Sequence, residues 1–390
     1  MRDHFDLDDS IIYLNSGTHS IAPRAVLEAV TSYQRRYELN PTAGLLTAWG
    51  HVWEAQQAIA RFVGARADDL FLRSNVTEAL NAFILGMPLP SGGGEILVSD
   101  LEYGAIVNTC RFRCERDGLQ LKQFHVPLEA DAGGLVAALL AAVTPKTRLV
   151  VVSHIASGTG TVFPIGDLSR ELRARGVLLA VDGAHGPGAL PLDLSRLDDL
   201  DFYGGNLHKW FMGPKGTAFG WVSPRHQDLI QPLLAGWPTF ECPDFSDGFN
   251  HSSRFAQKMV PLGCHDFAPF VALREAAAFW DTHGAEKMRA RIAALVACVE
   301  REMAALGWSL LSPASGPLRG PMLTYALPPG LAGEGAQFLT RVLREQRLQI
   351  SSPVVQGRPS VRLSPHVHND EGQIREAVRR LRLVGALGKN

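Results

Sequence analysis

Short apolar runs that end in polar or glycine-rich turns recur along the first part of the chain. They are GEILVSD (94–100), TRLVVVSHI (147–155), GVLLAVDGAH (176–185), LDFYGGN (200–206) and GTAFGWV (216–222). Runs such as LVVV and VLLAV do not alternate between apolar and polar positions, which is typical of strands buried on both faces of a parallel sheet. Helical patterns lie between several of them, for example IGDLSRELRARG (165–176), with Asp167 in its first turn and Gly176 at its end. This alternation predicts an α/β protein with a doubly wound, mostly parallel sheet.

The pattern changes from about Phe267. A long helical stretch (267–307) precedes the β-like segments MLTYALP, RLQISSP and PSVRLSPH and a final helix near GQIREAVRRLRLVG. This order of elements predicts a smaller α+β domain at the C-terminus. We therefore expect an N-terminal arm of residues 1–15, a large domain of residues 16–262 and a small domain of residues 263–390.

Composition and charge narrow the class of protein. The chain has 390 residues, of which 46% are hydrophobic and 20% charged, with a formal net charge of -1. This balance is ordinary for a soluble globular protein and favours neither nucleic acid nor an anionic membrane as a partner. No apolar run approaches the roughly 18 residues of a membrane span, and the start MRDHFDLDDS is too polar for a secretory signal. Five cysteines in a chain of this length are typical of a reducing compartment, so we expect a cytoplasmic protein.

Polar residues follow two of the predicted strands at the point where each strand ends. Asp182 closes the VLLAV run, and Asn206, His208 and Lys209 follow the FYGG run. In an open parallel sheet the ligand crevice lies at the carboxyl ends of the strands, so we expect Asp182 and Lys209 to face one crevice. A buried carboxylate is costly unless a cation or a hydrogen-bond donor meets it. The alternatives are an aspartate that caps the next turn and a lysine in a surface loop.

The stretch FLRSNVTEALNAF (71–83) contains a candidate anion site. Asn75 and Thr77 lie at the start of a helical pattern that begins near Val76. Free N–H groups at a helix N-terminus suit a phosphate group, although the same residues also form an ordinary N-cap. Pyridoxal phosphate needs a lysine for a Schiff base, a carboxylate facing the pyridine nitrogen and an anion site. The three features together predict pyridoxal 5'-phosphate as a cofactor, with Lys209 as its covalent attachment point.

Six stretches spread over nearly the whole chain carry a family resemblance. They are YLNSGTHSIAP (13–23), SNVTEALN (74–81), LEYGAIVNT (101–109), VDGAHGPG (181–188), GGNLHKWFMGPKG (204–216) and VRLSPHVHND (361–370). With them the sequence resembles the class V aminotransferase-fold enzymes, and most closely their isopenicillin N epimerase-like branch, related to cysteine desulfurases and cysteine-conjugate C–S lyases. The resemblance implies the fold of type I pyridoxal-phosphate enzymes and a homodimer.

The resemblance also implies which residues hold the cofactor. The phosphate group is assigned to Asn75, Val76, Thr77, His208 and Asn206. Tyr103 would lie over the pyridine ring, where related enzymes often carry a histidine, and His185 would reach the ring hydroxyl. An ordinary buried tyrosine and a core histidine are the alternatives for these two positions.

On the substrate side, the resemblance assigns the α-carboxylate to Arg362, whose planar guanidinium can form two parallel hydrogen bonds. The alternative for Arg362 is a surface salt bridge. Asn15 and Gly17 would approach the same side of the site. His366 and His368 are interpreted as loop residues beside Arg362.

The sequence departs from the relatives' pattern in its cysteines. Cys264 stands where relatives often carry a threonine that reaches the phosphate of the neighbouring subunit, and a thiol is a poor phosphate ligand. VRLSPHVHND has no cysteine near Arg362, which disfavours a persulfide-forming cysteine desulfurase. Cys110 and Cys114 have no second pair at a metal-binding spacing, so no metal site is predicted.

We therefore expect an enzyme that acts at the α-carbon of an amino acid or an S-substituted cysteine conjugate. C–S β-lyase chemistry in secondary metabolism is favoured because it needs only one base, whereas an amino-acid epimerase also needs a proton donor on the opposite face. Aminotransferase and decarboxylating or deaminating activities are further alternatives. A non-catalytic binding module of the same fold is the alternative from another class; it would be expected to lose Lys209 or Asp182, and both are present.

Overall fold

A seven-stranded sheet carries many of the candidate site residues. The computed structural model of the chain describes residues 1–90, 93–236, 239, 252–260, 263–334 and 336–387.

The strands in these ranges, of which β2 to β8 form the seven-stranded sheet, are β1 (Ile12–Tyr13), β2 (Leu70–Arg73), β3 (Glu95–Ser99), β4 (Gln120–Phe124), β5 (Thr147–Ser153), β6 (Leu178–Asp182), β7 (Phe202–Asn206), β8 (Ala218–Val222), β9 (Leu323–Ala326), β10 (Leu348–Gln349), β11 (Val354–Val355) and β12 (Arg358–Leu363).

Helices surround this sheet and fill the C-terminal part. In the described ranges they are α1 (Arg24–Leu39), α2 (Pro41–Phe62), α3 (Val76–Gly86), α4 (Gly104–Asp117), α5 (Ala132–Ala142), α6 (Ile165–Arg173), α7 (Arg254–Lys258), α8 (Ala268–Val271), α9 (Leu273–His283), α10 (Ala285–Ala304), α11 (Pro329–Ala332), α12 (Ala336–Gln346) and α13 (Glu371–Leu387). The helical stretch predicted from Phe267 is thus divided into α8, α9 and α10. Gly284 ends α9 with a φ of 78°, a left-handed conformation that glycine adopts freely.

The strands of the large sheet run in the order β2-β8-β7-β6-β5-β3-β4. Neighbours from β7 to β4 are parallel, whereas β8 is antiparallel to both β2 and β7. The predicted mostly parallel sheet is therefore confirmed, with β8 as the exception. β8 follows β7 after one loop, and only antiparallel neighbours can be joined so directly, because parallel strands need a long crossover. That loop, residues 207–217, carries Lys209.

Both faces of the sheet are covered, as the non-alternating runs predict. Val150 and Val152 of β5 belong to one cluster of buried apolar side chains, and Val151 belongs to another. Successive side chains of a strand point to opposite faces, so the two clusters lie on opposite sides of the sheet. Phe83 of α3 and Ile106 of α4 belong to the cluster of Val151, whereas buried residues of α2 and α6 belong to the other. The sheet is doubly wound.

The start of the chain packs against its last third. A three-stranded antiparallel sheet has the order β11-β12-β9, β1 pairs in parallel with β10, and Asn15 forms an isolated bridge with Ser364. The division into residues 1–15, 16–262 and 263–390 stays a prediction, and its second boundary falls at a position outside the described residues. No helix within the described ranges is long and apolar enough to cross a membrane.

Candidate active site

A cavity of about 480 Å³ opens where β5, β6 and β7 end. The last residues of these strands, Ser153, Asp182 and Asn206, form part of its wall. Most of the predicted site residues line it, namely Gly17, Asn75, Val76, Thr77, Tyr103, Asp182, His185, Asn206, His208, Lys209 and Arg362. The exception is Asn15, which lies behind Arg362 and accepts a hydrogen bond from its Nη2 at 3.4 Å. The structure thus brings these side chains together, while their individual roles stay predictions.

Lys209 lies on the cavity wall, with its Nζ 3.3 Å from Nε2 of His185. Burial lowers the pKa of Lys209 to about 8; the negative charge of Asp182 opposes this shift, and the positive charge of Arg362 adds to it. A lysine with such a pKa carries a useful fraction of nucleophilic amine near neutral pH. The rival lysine, Lys215, donates instead to the backbone carbonyl of Ser20 and is not part of the cavity wall.

Asp182 is a buried carboxylate at the end of β6. Its Oδ1 accepts a hydrogen bond from the N–H of Ala184 at 2.8 Å, and within the described residues it forms no salt bridge. Burial raises the pKa of Asp182, while the hydrogen bond from Ala184 and the charge of Lys209 oppose the shift. A cationic group placed in the cavity would therefore stabilise the ionised form of Asp182.

Glu102 is a wall residue that the sequence reasoning missed. Its Oε1 accepts hydrogen bonds from Oγ of Ser153 at 2.5 Å and from the N–H of Tyr103 at 2.9 Å. Its Oε2 is buried and has no hydrogen-bond partner within the described residues. Burial and then the negative charge of Asp182 raise the pKa of Glu102 well above the ordinary range. Its position in LEYGAIVNT, directly before the predicted site residue Tyr103, is the feature of the sequence that points to Glu102.

His185 is buried and lines the cavity. Its Nδ1 accepts a hydrogen bond from Nε1 of Trp210 at 3.0 Å. Burial, followed by the positive charges of Lys209 and Arg362, keeps the pKa of His185 well below 6.5. The ring is therefore neutral at ordinary pH. His185 is thus buried, as the alternative of a core histidine expects, and it also lines the cavity, while its contact with the ring hydroxyl stays a prediction.

The start of α3 offers a smaller anion site than the sequence predicts. The Oδ1 of Asn75 accepts from the N–H of Glu78 at 3.0 Å, and the Oδ1 of Asn206 accepts from the N–H of Val76 at 2.9 Å. The N–H of Val76 is thus already engaged with Asn206, whereas the sequence predicts that Val76 contacts the phosphate group. No acceptor among the described residues takes the N–H of Thr77, which remains for a ligand.

His208 lies beside this anion site. Its Nδ1 is 3.1 Å from the carbonyl oxygen of Thr217, so Nδ1 carries the proton and Nε2 of the neutral ring is an acceptor. Burial and the charge of Lys209 lower the pKa of His208 to about 4. An anion held at Nε2 would reverse this shift, because His208 can donate to it only in the protonated form.

Arg362 is a buried cation without an anionic partner. Its Nη1 donates to the carbonyl of Ser157 at 2.7 Å, its Nη2 lies 3.1 Å from Oγ1 of Thr18, and its Nε has no partner. No carboxylate within the described residues lies within salt-bridge distance of Arg362. The surface salt bridge considered as an alternative is therefore wrong. A buried guanidinium with a free donor is suited to a carboxylate supplied by a ligand.

Tyr103 is half exposed on the cavity wall, at 53%, directly before α4. The alternative of an ordinary buried tyrosine is therefore wrong. His366 and His368 lie in the loop that follows β12, as predicted, but both are buried and neither is among the residues that line the cavity. The ring of His366 stacks on that of Trp210, whose carbonyl accepts from Nε2 of His366 at 3.0 Å.

The cysteines described here lie away from the cavity. Cys110 and Cys114 are buried in α4, and burial raises the pKa of both thiols, that of Cys114 to about 11. Cys264 is exposed, and Cys242 falls outside the described ranges. No group of three or more His, Cys, Asp or Glu that could hold a metal occurs in the part of the chain that the structure describes.

The arrangement fits the three requirements of pyridoxal phosphate. Lys209 supplies an amine with a lowered pKa, Asp182 a buried carboxylate that forms no salt bridge with the described residues, and Thr77 a free N–H at a helix N-terminus. Arg362, which lines the same cavity and whose Nε has no partner among the described residues, suits a substrate carboxylate. The cavity is large enough for a small cofactor with an amino acid beside it.

Comparisons with known proteins give a consistent family. The sequence profile of the family Aminotransferase class-V matches residues 12–352. Isopenicillin N epimerase of Streptomyces clavuligerus is 35% identical over 378 residues, which cover 94% of this chain and 93% of that protein. The enzyme of the same name from Amycolatopsis lactamdurans is 33% identical over 387 residues, which cover 96% of this chain and 95% of that protein. A probable cysteine desulfurase of Xylella fastidiosa is 28% identical and covers 75% of this chain and 70% of its own length.

Solved structures agree in fold. A mutant of C-DES with glycine covalently linked to its pyridoxal-phosphate cofactor superposes with a TM-score of 0.87 at 24% identity, over 98% of both chains. The cystine C–S lyase C-DES in complex with cysteine persulfide superposes with a TM-score of 0.85 at 25% identity, over 96% of this chain and 97% of that one. The predicted fold of type I pyridoxal-phosphate enzymes is confirmed.

Proposed function

The chain belongs to the aminotransferase class-V family, and we propose that it is a pyridoxal-phosphate enzyme acting at the α-carbon of an amino acid or S-substituted cysteine conjugate, with C–S β-lyase chemistry. One observation carries this proposal. Lys209, whose pKa is lowered to about 8, shares a cavity with Arg362, a buried guanidinium that lacks a carboxylate within the described residues. A cavity with both groups can hold an amino acid by its carboxylate and deprotonate it.

Pyridoxal phosphate, when bound, supplies a carbonyl that condenses with amines and a protonated pyridine that withdraws electrons from the α-carbon. Asp182 is suited to hold the proton on the pyridine nitrogen, because a cation relieves the cost of its own buried charge. The N–H of Thr77 and a protonated His208 are suited to the phosphate, with Asn75 and Asn206 shaping the start of α3. Tyr103 and His185 are suited to the ring, over its face and at its hydroxyl.

On the substrate side, Arg362 holds the α-carboxylate through Nε and one Nη, while Ser157 and Thr18 fix the guanidinium. The neutral Nζ of Lys209 takes the proton from the α-carbon. The leaving thiolate of a cysteine conjugate then departs from Cβ. These reaction steps need only one base, Lys209, which is why we favour elimination over epimerisation.

Epimerisation is the second candidate, because the two isopenicillin N epimerases are at least 33% identical over nearly the whole chain. It needs a proton donor on the face of the α-carbon opposite to Lys209. Transamination and decarboxylating or deaminating reactions are further fates of the same substrate. A persulfide-forming desulfurase is disfavoured, since no cysteine is among the described residues that line the cavity. A non-catalytic binding module is disfavoured by the low pKa of Lys209, which binding alone does not require.

Product analysis separates these reactions. The holoenzyme is incubated with a panel of S-substituted cysteines and ordinary L-amino acids in D2O. A lyase releases thiol, pyruvate and ammonia from the conjugates, whereas an epimerase yields the D-isomer with deuterium on Cα. If neither set of products appears, and a 2-oxo acid forms only when an amino-group acceptor is added, the result would contradict both the lyase and the epimerase and would indicate transamination.

We further propose a cytoplasmic homodimer in secondary metabolism, as the resemblance and the sequence imply. Light scattering at micromolar concentration is expected to give about twice the 42.4 kDa chain mass. A mass near 42.4 kDa would contradict the dimer without affecting the proposed chemistry.

A further inference from the structure

The hydrogen bond between Trp210 and His185 determines which imidazole nitrogen carries the proton. The indole N–H can only donate, so Nδ1 of His185, at 3.0 Å from it, must be the acceptor. A neutral imidazole carries its proton on the other nitrogen, which is Nε2. Trp210 and His185 are 0% and 2% exposed, so water does not compete for this bond.

Trp210 is itself held from the opposite side. The N–H of Val367 donates to Nδ1 of His366 at 2.8 Å, which leaves the proton of His366 on Nε2. That Nε2 donates to the carbonyl oxygen of Trp210 at 3.0 Å, and the two rings stack with centroids 5.6 Å apart. His368 stacks in turn on His366 at 5.9 Å. The indole therefore has little freedom to turn away from His185.

The tautomer matters because Nε2 of His185 points at Lys209. An N–H at Nε2 can donate to Nζ, 3.3 Å away, only when Lys209 is a neutral amine, since an ammonium has no lone pair. The opposite tautomer would place a lone pair at Nε2 and would stabilise the ammonium form. The indole thus favours the nucleophilic form of Lys209 without contacting Lys209 through its side chain.

We propose that Trp210 is a positioning residue that holds His185 in its Nε2–H tautomer, so that His185 presents a donor to Lys209 in the apoprotein and would present it to the ring oxygen of the cofactor in the holoenzyme. The tautomer of His185 and its hydrogen bond to Lys209 depend only on residues of this chain. The hydrogen bond to the ring oxygen rests on the proposed function, because it needs the cofactor for its acceptor.

A buried tryptophan elsewhere provides a matched control. Trp280 is also 0% exposed, and its Nε1 donates to the carbonyl oxygen of Phe211 at 2.8 Å. Trp280→Phe removes an indole N–H of the same kind and leaves His185 untouched. Trp210→Phe removes the N–H that faces His185 and keeps an aromatic ring there.

Two measurements test the tautomer. Full-length protein depleted of cofactor and labelled with 15N in its histidine rings reports the protonated nitrogen by NMR, with His185 assigned from a His185→Gln sample. The wild type and Trp280→Phe are expected to carry the proton of His185 on Nε2, whereas Trp210→Phe populates the Nδ1–H form. Capture of pyridoxal phosphate by Lys209 is then followed against pH, by borohydride reduction and peptide mass. Its midpoint is expected to rise by on the order of one pH unit in Trp210→Phe only.

A proton on Nδ1 in the wild type overturns the proposal without any variant, so a Trp210→Phe protein that fails to fold does not protect it. Equal shifts in Trp210→Phe and Trp280→Phe also overturn it, because the effect would then be general loss of packing. A wild type that keeps the Nε2–H tautomer but does not capture pyridoxal phosphate would instead refute the proposed function and leave the tautomer assignment intact.

Discussion

The side chain of Asn206 accepts a hydrogen bond from the N–H of Val76 at 2.9 Å, and this bond ties the end of β7 to the first turn of α3. The strand leads to Lys209, and the helix start is the candidate phosphate site. The two halves of the cofactor site are thus fixed to each other by one amide oxygen. A change at Asn206 should affect the distance between them.

Asn206→Ala is expected to lower the free energy of unfolding by about 1–3 kcal/mol, because a buried N–H loses its acceptor. Asn206→Asp keeps an acceptor for Val76 and should be more stable than Asn206→Ala. Its added negative charge faces the phosphate site, so its affinity for pyridoxal phosphate should be the lower of the two. Chemical denaturation and cofactor titration check the two effects separately. The same ranking of the variants in both measurements would contradict the placement of the phosphate.

Lys209→Ala is expected to abolish covalent cofactor attachment and turnover while the fold remains, because Lys209 lies on a cavity wall. The control is Lys215→Ala, which removes the neighbouring lysine that donates to Ser20. Borohydride reduction of the wild type followed by peptide mapping should label Lys209. Labelling of Lys215 would refute the assignment.

The rate of cofactor capture by the apoprotein is expected to rise with pH and to level off above a midpoint near 8. The protonated amine of Lys209 is unreactive, and burial lowers its pKa to about 8, so the neutral fraction is about one-tenth at pH 7. An ordinary lysine would have its midpoint near 10.5. Absorbance in a stopped-flow instrument follows the reaction, and a midpoint near 10 would mean that the amine is solvated.

Asp182→Asn is expected to retain some bound cofactor and to lose about 10²–10³ in kcat, because an amide does not hold a proton on the pyridine nitrogen. The pKa of Glu102 is raised partly by the charge of Asp182, so the same change should lower it. Turnover with the identified substrate and titration of Glu102 by infrared spectroscopy check the two effects. Near-normal turnover would show that Asp182 is structural.

Arg362→Ala is expected to weaken binding of an amino acid by about 2–5 kcal/mol while cofactor binding is kept, since the substrate carboxylate loses its countercharge. Arg362→Lys should also be impaired, because an ammonium cannot reproduce the planar pair of donors. Titration with a substrate and with its methyl ester is the measurement. The wild type should prefer the free acid, and a variant with the same preference would mean that another group holds the carboxylate.

The sequence predicts those site residues that lie at the end of one strand or at the start of one helix. Asp182 and Lys209 are recognisable because each directly follows a buried apolar run, and parallel strands end at one edge of a sheet. Thr18 and Ser157, which hold Arg362, are not recognisable in this way. They are 344 and 205 positions from Arg362 in sequence, and only the tertiary fold brings them to it.

The same limit explains why the engaged N–H of Val76 could not be predicted. Helix N-termini expose donors in general, but whether a donor stays free depends on Asn206, which approaches from a strand 130 positions away. The burial of His366 was missed for a related reason. The stretch SPHVHND after β12 has the composition of a polar loop, whereas contacts with the carbonyl and ring of Trp210 bury His366.

The parallel pairing of β1 with β10 makes completion of the site a late event during synthesis. Asn15 leaves the ribosome long before Arg362, from which 347 positions separate it, and β1 can form its pairing with β10 only once Leu348 and Gln349 have been made. A nascent chain that ends after β8 already contains Asp182, Lys209 and the start of α3, and such N-terminal parts fold first. A chain released at that stage would contain Lys209 and Asp182 but not Arg362. Premature termination after β8 would therefore yield a chain that has the lysine proposed to bind the cofactor and lacks the arginine proposed to recognise an amino acid.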